Sequence, residues 1–176
     1  IEARLAVKTI IENEGPCYLR LGKAGEELIH KNNKKLSNVS IRKAIVVQEG
    51  KDITLISTGG MLKTAIGAAD RISKQRIGIS VRVLSMPTIK PIDKEAIFEA
   101  IRETSAIFTI EDHSIIGGMG SAVAEVFAEY NSYDVIFLRL GIRDTNCYEI
   151  GDQKYLYKTA GLDVDGVVSK ILEKLF

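Results

Sequence analysis

The chain has 176 residues, which suits one well-buried core and leaves little room for two independent domains. Its 24 Lys and Arg residues against 23 Asp and Glu give a net charge of +1, so no general electrostatic drive toward nucleic acid or an anionic membrane surface exists. No apolar run reaches membrane-spanning length, and Cys17 and Cys147 stand alone, without a Cys-x-x-Cys pair or zinc-ligand spacing around His30 or His113. A cytoplasmic protein with reduced thiols is expected.

Residues 2 to 13 place Leu5, Ala6, Ile10 and Ile11 at helical spacing, and Gly15-Pro16 stops that helix before a short apolar run, Cys17 to Leu21, that reads as a strand. The first residue is Ile1 rather than Met, and the chain is expected to begin inside an element and to have been cut from something longer. Residues 22 to 43 are rich in Gly, Asn, Ser and Lys without an apolar period, which reads as a linker in which His30 is simply solvated. From Ala44 the pattern becomes regular. AIVVQEG and DITLISTGG read as two neighbouring strands and Met61 to Lys74 as a helix with Leu62, Ile66, Ala69 and Ile72 on one face. A strand over 79 to 87, a helix over 93 to 104 with Asp93 as N-cap, and a strand AIFTI at 106 to 110 follow. A helix from Gly120, a strand from Asp134 and a closing helix from Val164 complete the chain. Strands alternating with helices imply right-handed crossovers and a mainly parallel sheet covered on both faces.

The most informative stretch is SAIFTIEDHSIIGGMGSAVAEVFAE, residues 105 to 129: an apolar strand, an acid-rich turn, the glycines Gly117, Gly118 and Gly120, then an amphipathic helix. Amides at such a helix start can hold a phosphate, or the glycines can serve tight strand-to-helix packing. A dinucleotide fingerprint is incomplete, because Val123 is bulky where a small residue belongs and no acidic residue closes the following strand. Glu111, Asp112 and His113 fall at the carboxyl end of a central strand, where open α/β sheets place ligands. Local acid/base chemistry, hydrogen bonds bracing the glycine turn, and an interface are the readings open there, and strand alternation keeps Asp112 off the face of its neighbours. Arg20 and Lys23, after the first short strand, can meet a phosphate or form surface salt bridges. The polar stretch 139 to 152, with Arg139, Arg143 and Asp144, reads as a loop.

Several stretches in order resemble one family. Gly15 to Lys23, GKDITLISTGGMLKTAIGAAD, VRVLSMPTIKPID, FTIEDHSIIGGMGSAVAE and YLYKTAGLD resemble the thiamine diphosphate-dependent transketolases, specifically their C-terminal domain, preceded by the last strand of the pyrimidine-binding domain. The resemblance implies an α/β fold, a three-layer α/β/α unit whose five-stranded sheet is mostly parallel with one antiparallel strand. It divides the chain into residues 1–22, the helix and strand remnant of the pyrimidine-binding domain, a linker over 23–43, and the C-terminal domain over 44–176. It further implies transfer of a two-carbon ketol unit between sugar phosphates by a complete homodimeric enzyme. Thiamine diphosphate and Mg2+ would be held by pyrophosphate- and pyrimidine-binding domains, or a subunit carrying them, with none of the cofactor residues in this chain. The magnesium-binding GDG with its following NN pair is absent, since Asn32-Asn33 lies in the linker. In the family's arginine-x-x-arginine phosphate pattern Lys23 takes the second position after Arg20, keeping the charge without the planar fork. Glu111 to Gly120 would lie near an interdomain surface in a structural role. The equivalent domain of 2-oxoacid dehydrogenases and deoxyxylulose phosphate synthase is a related possibility, and a free-standing regulatory module capturing a small anion at the glycine turn is the rival from a different class.

Overall fold

The computed structural model describes residues 2–22, 28–30, 42–76, 78–131, 134–146 and 148–176. Helix α1 (Glu2–Ile11) is followed by β1 (Ile45–Gln48), β2 (Ile53–Ser57), α2 (Leu62–Gln75), β3 (Val81–Ser85) and α3 (Lys94–Glu103). Then come β4 (Ala106–Ser114), α4 (Met119–Tyr130), β5 (Ile136–Ile142), α5 (Gln153–Thr159) and α6 (Val164–Leu175). The strands form one five-stranded sheet in the order β1-β3-β2-β4-β5. Strands β2 to β5 run parallel, and β1 alone is antiparallel, paired with β3. The two strands read as neighbours, β1 and β2, are therefore separated by β3.

The residues explain the layers. All five positions of β2, Ile-Thr-Leu-Ile-Ser, are buried, as a parallel strand covered on both faces requires. Alternation sends Leu55, Val83 and Phe108 into a cluster with Leu62, Ala69 and Ile72 of α2 and Val167 and Ile171 of α6. Ile56, Leu84 and Ile107 go into a second cluster with Ile97 of α3 and Val123 and Phe127 of α4. Each fully buried aliphatic or aromatic side chain contributes about 1.5–3 kcal/mol, so these two clusters fix the sheet between two helical layers.

Asp93 takes the N-cap position of α3, yet its carboxylate makes no cap hydrogen bond in the first turn. It accepts instead from the Ala44 N–H at 2.9 Å and from Lys43 Nζ at 3.0 Å, tying the start of β1 to the start of α3. Burial would raise the pKa of this carboxyl, but the Ala44 amide and Lys43 hold it below the ordinary range.

Two expectations near the N-terminus are altered. Cys17 to Leu21 form no strand: among the described residues no strand of the sheet pairs with the segment, and Tyr18 is 88% exposed. Helix α1 has the expected spacing but buries no residue completely. His30 is not solvated; it is buried, with Nε2 at 2.8 Å from Glu2 Oε1, the same oxygen that accepts from Ser85 Oγ at 2.7 Å. No helix among the described residues is long and apolar enough to cross a membrane.

Candidate functional site

Strand β4 does not stop at Ile110. It continues through Glu111, Asp112 and His113 to Ser114, with a register irregularity against β5 between Ile110 and Ser114. The acid-rich turn expected there is therefore strand, and its residues are dealt to different surroundings.

Glu111 turns inward and is 2% exposed. Its Oε2 accepts the Met119 N–H at 2.7 Å and its Oε1 the Gly120 N–H at 2.8 Å, so one carboxylate caps the amino end of α4. The neighbouring amides are also taken: Gly117 N donates to Ser121 Oγ, and Ser121 N and Ala122 N donate to the Gly118 carbonyl. Burial pushes the Glu111 carboxyl up, and the Gly120 and Met119 amides, His113 and Arg139 offset only part of that rise. Arg139 is fixed by two bonds from Nη1, to the Ile115 carbonyl at 2.6 Å and to Ser121 Oγ at 2.9 Å.

The glycines make room for this carboxylate. A Cβ on Gly118 would lie 2.2 Å from Glu111 Oε2 and 2.6 Å from the Ser114 carbonyl. Its φ of −85° is ordinary, so the requirement is space; the left-handed residue of the turn is Gly117, at φ +74°. A Cβ on Gly120 would meet Thr109 Oγ1 at 2.6 Å. The seat that an external phosphate would need is occupied by the protein's own carboxylate, which removes the basis of the anion-capturing module.

Asp112 faces the other way. Its Oδ1 accepts from Arg20 Nη1 at 2.8 Å and its Oδ2 from the Tyr157 hydroxyl at 3.1 Å. Three segments distant in sequence meet here: the stretch after α1, the end of β4, and α5. The hydrogen bond and charge of Asp112 raise the pKa of Arg20 further. His113 is exposed, its Nδ1 3.2 Å from the Ser114 carbonyl. The Glu-Asp-His triplet thus does not converge on a common point. Lys23 and Asn32-Asn33 lie outside the described residues, as does most of the linker.

Among the described residues, no group of three or more His, Cys, Asp and Glu side chains is placed to hold a metal ion. With the amides of the glycine turn committed to Glu111, the residues here do not fit a pyrophosphate cradle either. Tyr157 was not foreseen, because QKYLYKT carries too few apolar positions at helical spacing to announce α5; its only signal was the family-like YLYKTAGLD.

Residues 42–167 match the family model described as Transketolase, C-terminal domain. The chain belongs to the transketolase family. It is 37% identical over 169 residues to the "Putative transketolase C-terminal section" of Methanocaldococcus jannaschii, an alignment covering 96% of this chain and 51% of that protein. It is 36% identical over 177 residues to the 1-deoxy-D-xylulose-5-phosphate synthase of Desulfitobacterium hafniense, covering 99% of this chain and 27% of that one. A solved chain described as "Split gene transketolase, inactive beta4 tetramer" superposes with a TM-score of 0.85 at 35% identity, over 98% of this chain and 54% of its own length. The chain thus spans about half of the transketolase relatives. The mixed sheet with its antiparallel β1 is the architecture expected of a transketolase C-terminal domain.

Proposed function

We propose that this chain serves a transketolase-like enzyme as scaffold and interdomain contact, while ketol transfer between sugar phosphates is carried out on domains or a subunit that hold thiamine diphosphate and Mg2+. The observation that carries the reading is Glu111: the glycine turn between β4 and α4, where a phosphate could have sat, is sealed by an internal carboxylate. Residues 1–22 act as the end of the pyrimidine-binding domain, 23–43 as linker and 44–176 as the C-terminal domain. The Arg20–Asp112–Tyr157 contact then joins the first of these to the last. Exposed Tyr18, Leu21, Tyr148 and Ile150 lie on the segments that lead to this joint and offer apolar surface to a partner domain. Arg20 and Lys23 contribute to substrate phosphate binding once those domains are present, Arg20 by exchanging part of its contact with Asp112 for the phosphate. The complete enzyme works as a cytoplasmic homodimer in the pentose phosphate pathway.

The test is reconstitution. Purified chain combined with the remaining family domains, as a fusion or as a separate subunit, is assayed with ketose and aldose phosphates in the presence of thiamine diphosphate and Mg2+. Ketol transfer that requires this chain is expected; a properly assembled complex that transfers nothing overturns the proposal. The similarity to a 1-deoxy-D-xylulose-5-phosphate synthase favours a second reading within the family, and formation of that product in place of ketol transfer would select it.

A further inference from the structure

Strand β5 is an edge of the sheet, and between it and α6 lies a cavity of about 320 Å3. Four cations line it, Arg139, Arg143, Lys170 and Lys174, against the one carboxylate of Glu173. Lys170 and Lys174 are four residues apart on α6, where like charges repel across one helical turn. Lys170 Nζ donates to the carbonyls of Ala160 at 3.1 Å and Gly161 at 2.9 Å, neutral acceptors that leave one of its three hydrogens. Burial and then the charge of Arg143 push the Lys170 pKa down, the mark of crowded positive charge that Asp163 only partly offsets. Arg139 borders the groove at the edge strand, but its side chain lies on the other face of the sheet, held by the Ile115 carbonyl and Ser121 of α4, so Arg143, Lys170 and Lys174 are the cations left to the groove. Arg143 and Lys174 are exposed and form no ion pair among the described residues.

We propose that this groove binds a phosphate-class dianion, the phosphomonoester group of a small metabolite or free phosphate. A compact dianion matches the spare hydrogen of Lys170 and the guanidinium of Arg143 and relieves the repulsion among Arg143, Lys170 and Lys174. A second copy of the chain does not suit the groove, because pairing β5 with β5 about a two-fold axis would set these cations against their own copies. Arg20 is not among the residues that line the groove, and the inference does not depend on the role proposed for Arg20 and Lys23.

Inorganic phosphate titrated into the full chain at constant ionic strength, followed by amide and lysine resonances, tests the inference. Saturable shifts at Gly141, Arg143, Lys170 and Lys174 are expected, together with a rise of the Lys170 pKa on saturation. Losing two charge-assisted contacts in the double variant Arg143→Ala, Lys174→Ala weakens binding about ten-fold or more, and Arg20→Ala leaves it unchanged. Lys174→Glu, a surface change, gives the same loss if the double variant does not fold. Glycerol 3-phosphate binding more tightly than phosphate identifies an esterified ligand, equal affinity identifies the free ion, and either upholds the groove. Shifts reproduced by chloride, absence of saturation, or binding undiminished in folded variants overturns it. Shifts confined to the Arg20 region and abolished by Arg20→Ala overturn the groove while leaving the substrate-phosphate reading intact.

Discussion

Glu111 and Asp112 are adjacent and chemically alike, yet the structure gives them opposite surroundings. Glu111 is sealed among the amides of α4 and the glycines, whereas Asp112 looks outward to Arg20 and Tyr157 at the joint with the N-terminal segment. Strand alternation accounts for the difference, since consecutive side chains leave β4 on opposite faces. The comparison teaches that a carboxylate at the carboxyl end of a sheet can close a ligand seat as well as build one, and that the face decides which.

The sealed side should be the more sensitive. Glu111→Ala leaves the Met119 and Gly120 amides buried and unpaired, an expected loss of about 4 kcal/mol in denaturant unfolding. A loss below about 1 kcal/mol would mean that water or another group caps α4 equally well. Gly118→Ala should cost about 3 kcal/mol, because its Cβ meets both Glu111 and the Ser114 carbonyl. Near-native stability would show that the turn relaxes around a methyl group.

Protonation sharpens the same contrast. The folded-state pKa of Glu111 is raised above its ordinary value of 4.5, so the folded protein binds this proton more strongly than the unfolded chain. Its linked stabilisation is fully present below the ordinary value and is lost as the pH rises through the raised one. The stability of the native protein relative to Glu111→Gln should therefore decline over that interval, and a flat or rising difference in midpoints would reverse the assigned direction. Arg20→Ala, on the outward side, should cost only about 0.5 kcal/mol, because the pair is partly solvated and its arginine side chain is 55% exposed. A double-mutant cycle with Asp112→Ala measures the contact directly.

Much of the fold was legible in the sequence because buried strands such as ITLI at 53 to 56 and AIFTI are uninterrupted apolar or β-branched runs between helices of clear 3.6-residue period. That one strand runs antiparallel was not readable from periodicity and came from the family resemblance; that it is β1 comes from the structure. At the site, the importance of the EDH and glycine segments was visible, but the continuation of β4 past Ile110 was not, since Glu-Asp-His has low strand propensity and spans a register irregularity, with pairing to β5 resuming at Ser114. The Arg20–Asp112 contact spans 92 positions and leaves no local trace. Residues 17 to 21 show the converse: a strand-like composition makes no strand without a neighbour to complete its hydrogen bonds.

The central claim is that the chain provides scaffold and interface while the cofactor is held elsewhere. Calorimetric titration of thiamine diphosphate with Mg2+ into the purified chain tests it most directly. No saturable heat is expected; stoichiometric, tight binding would place a cofactor site within this domain and overturn that division.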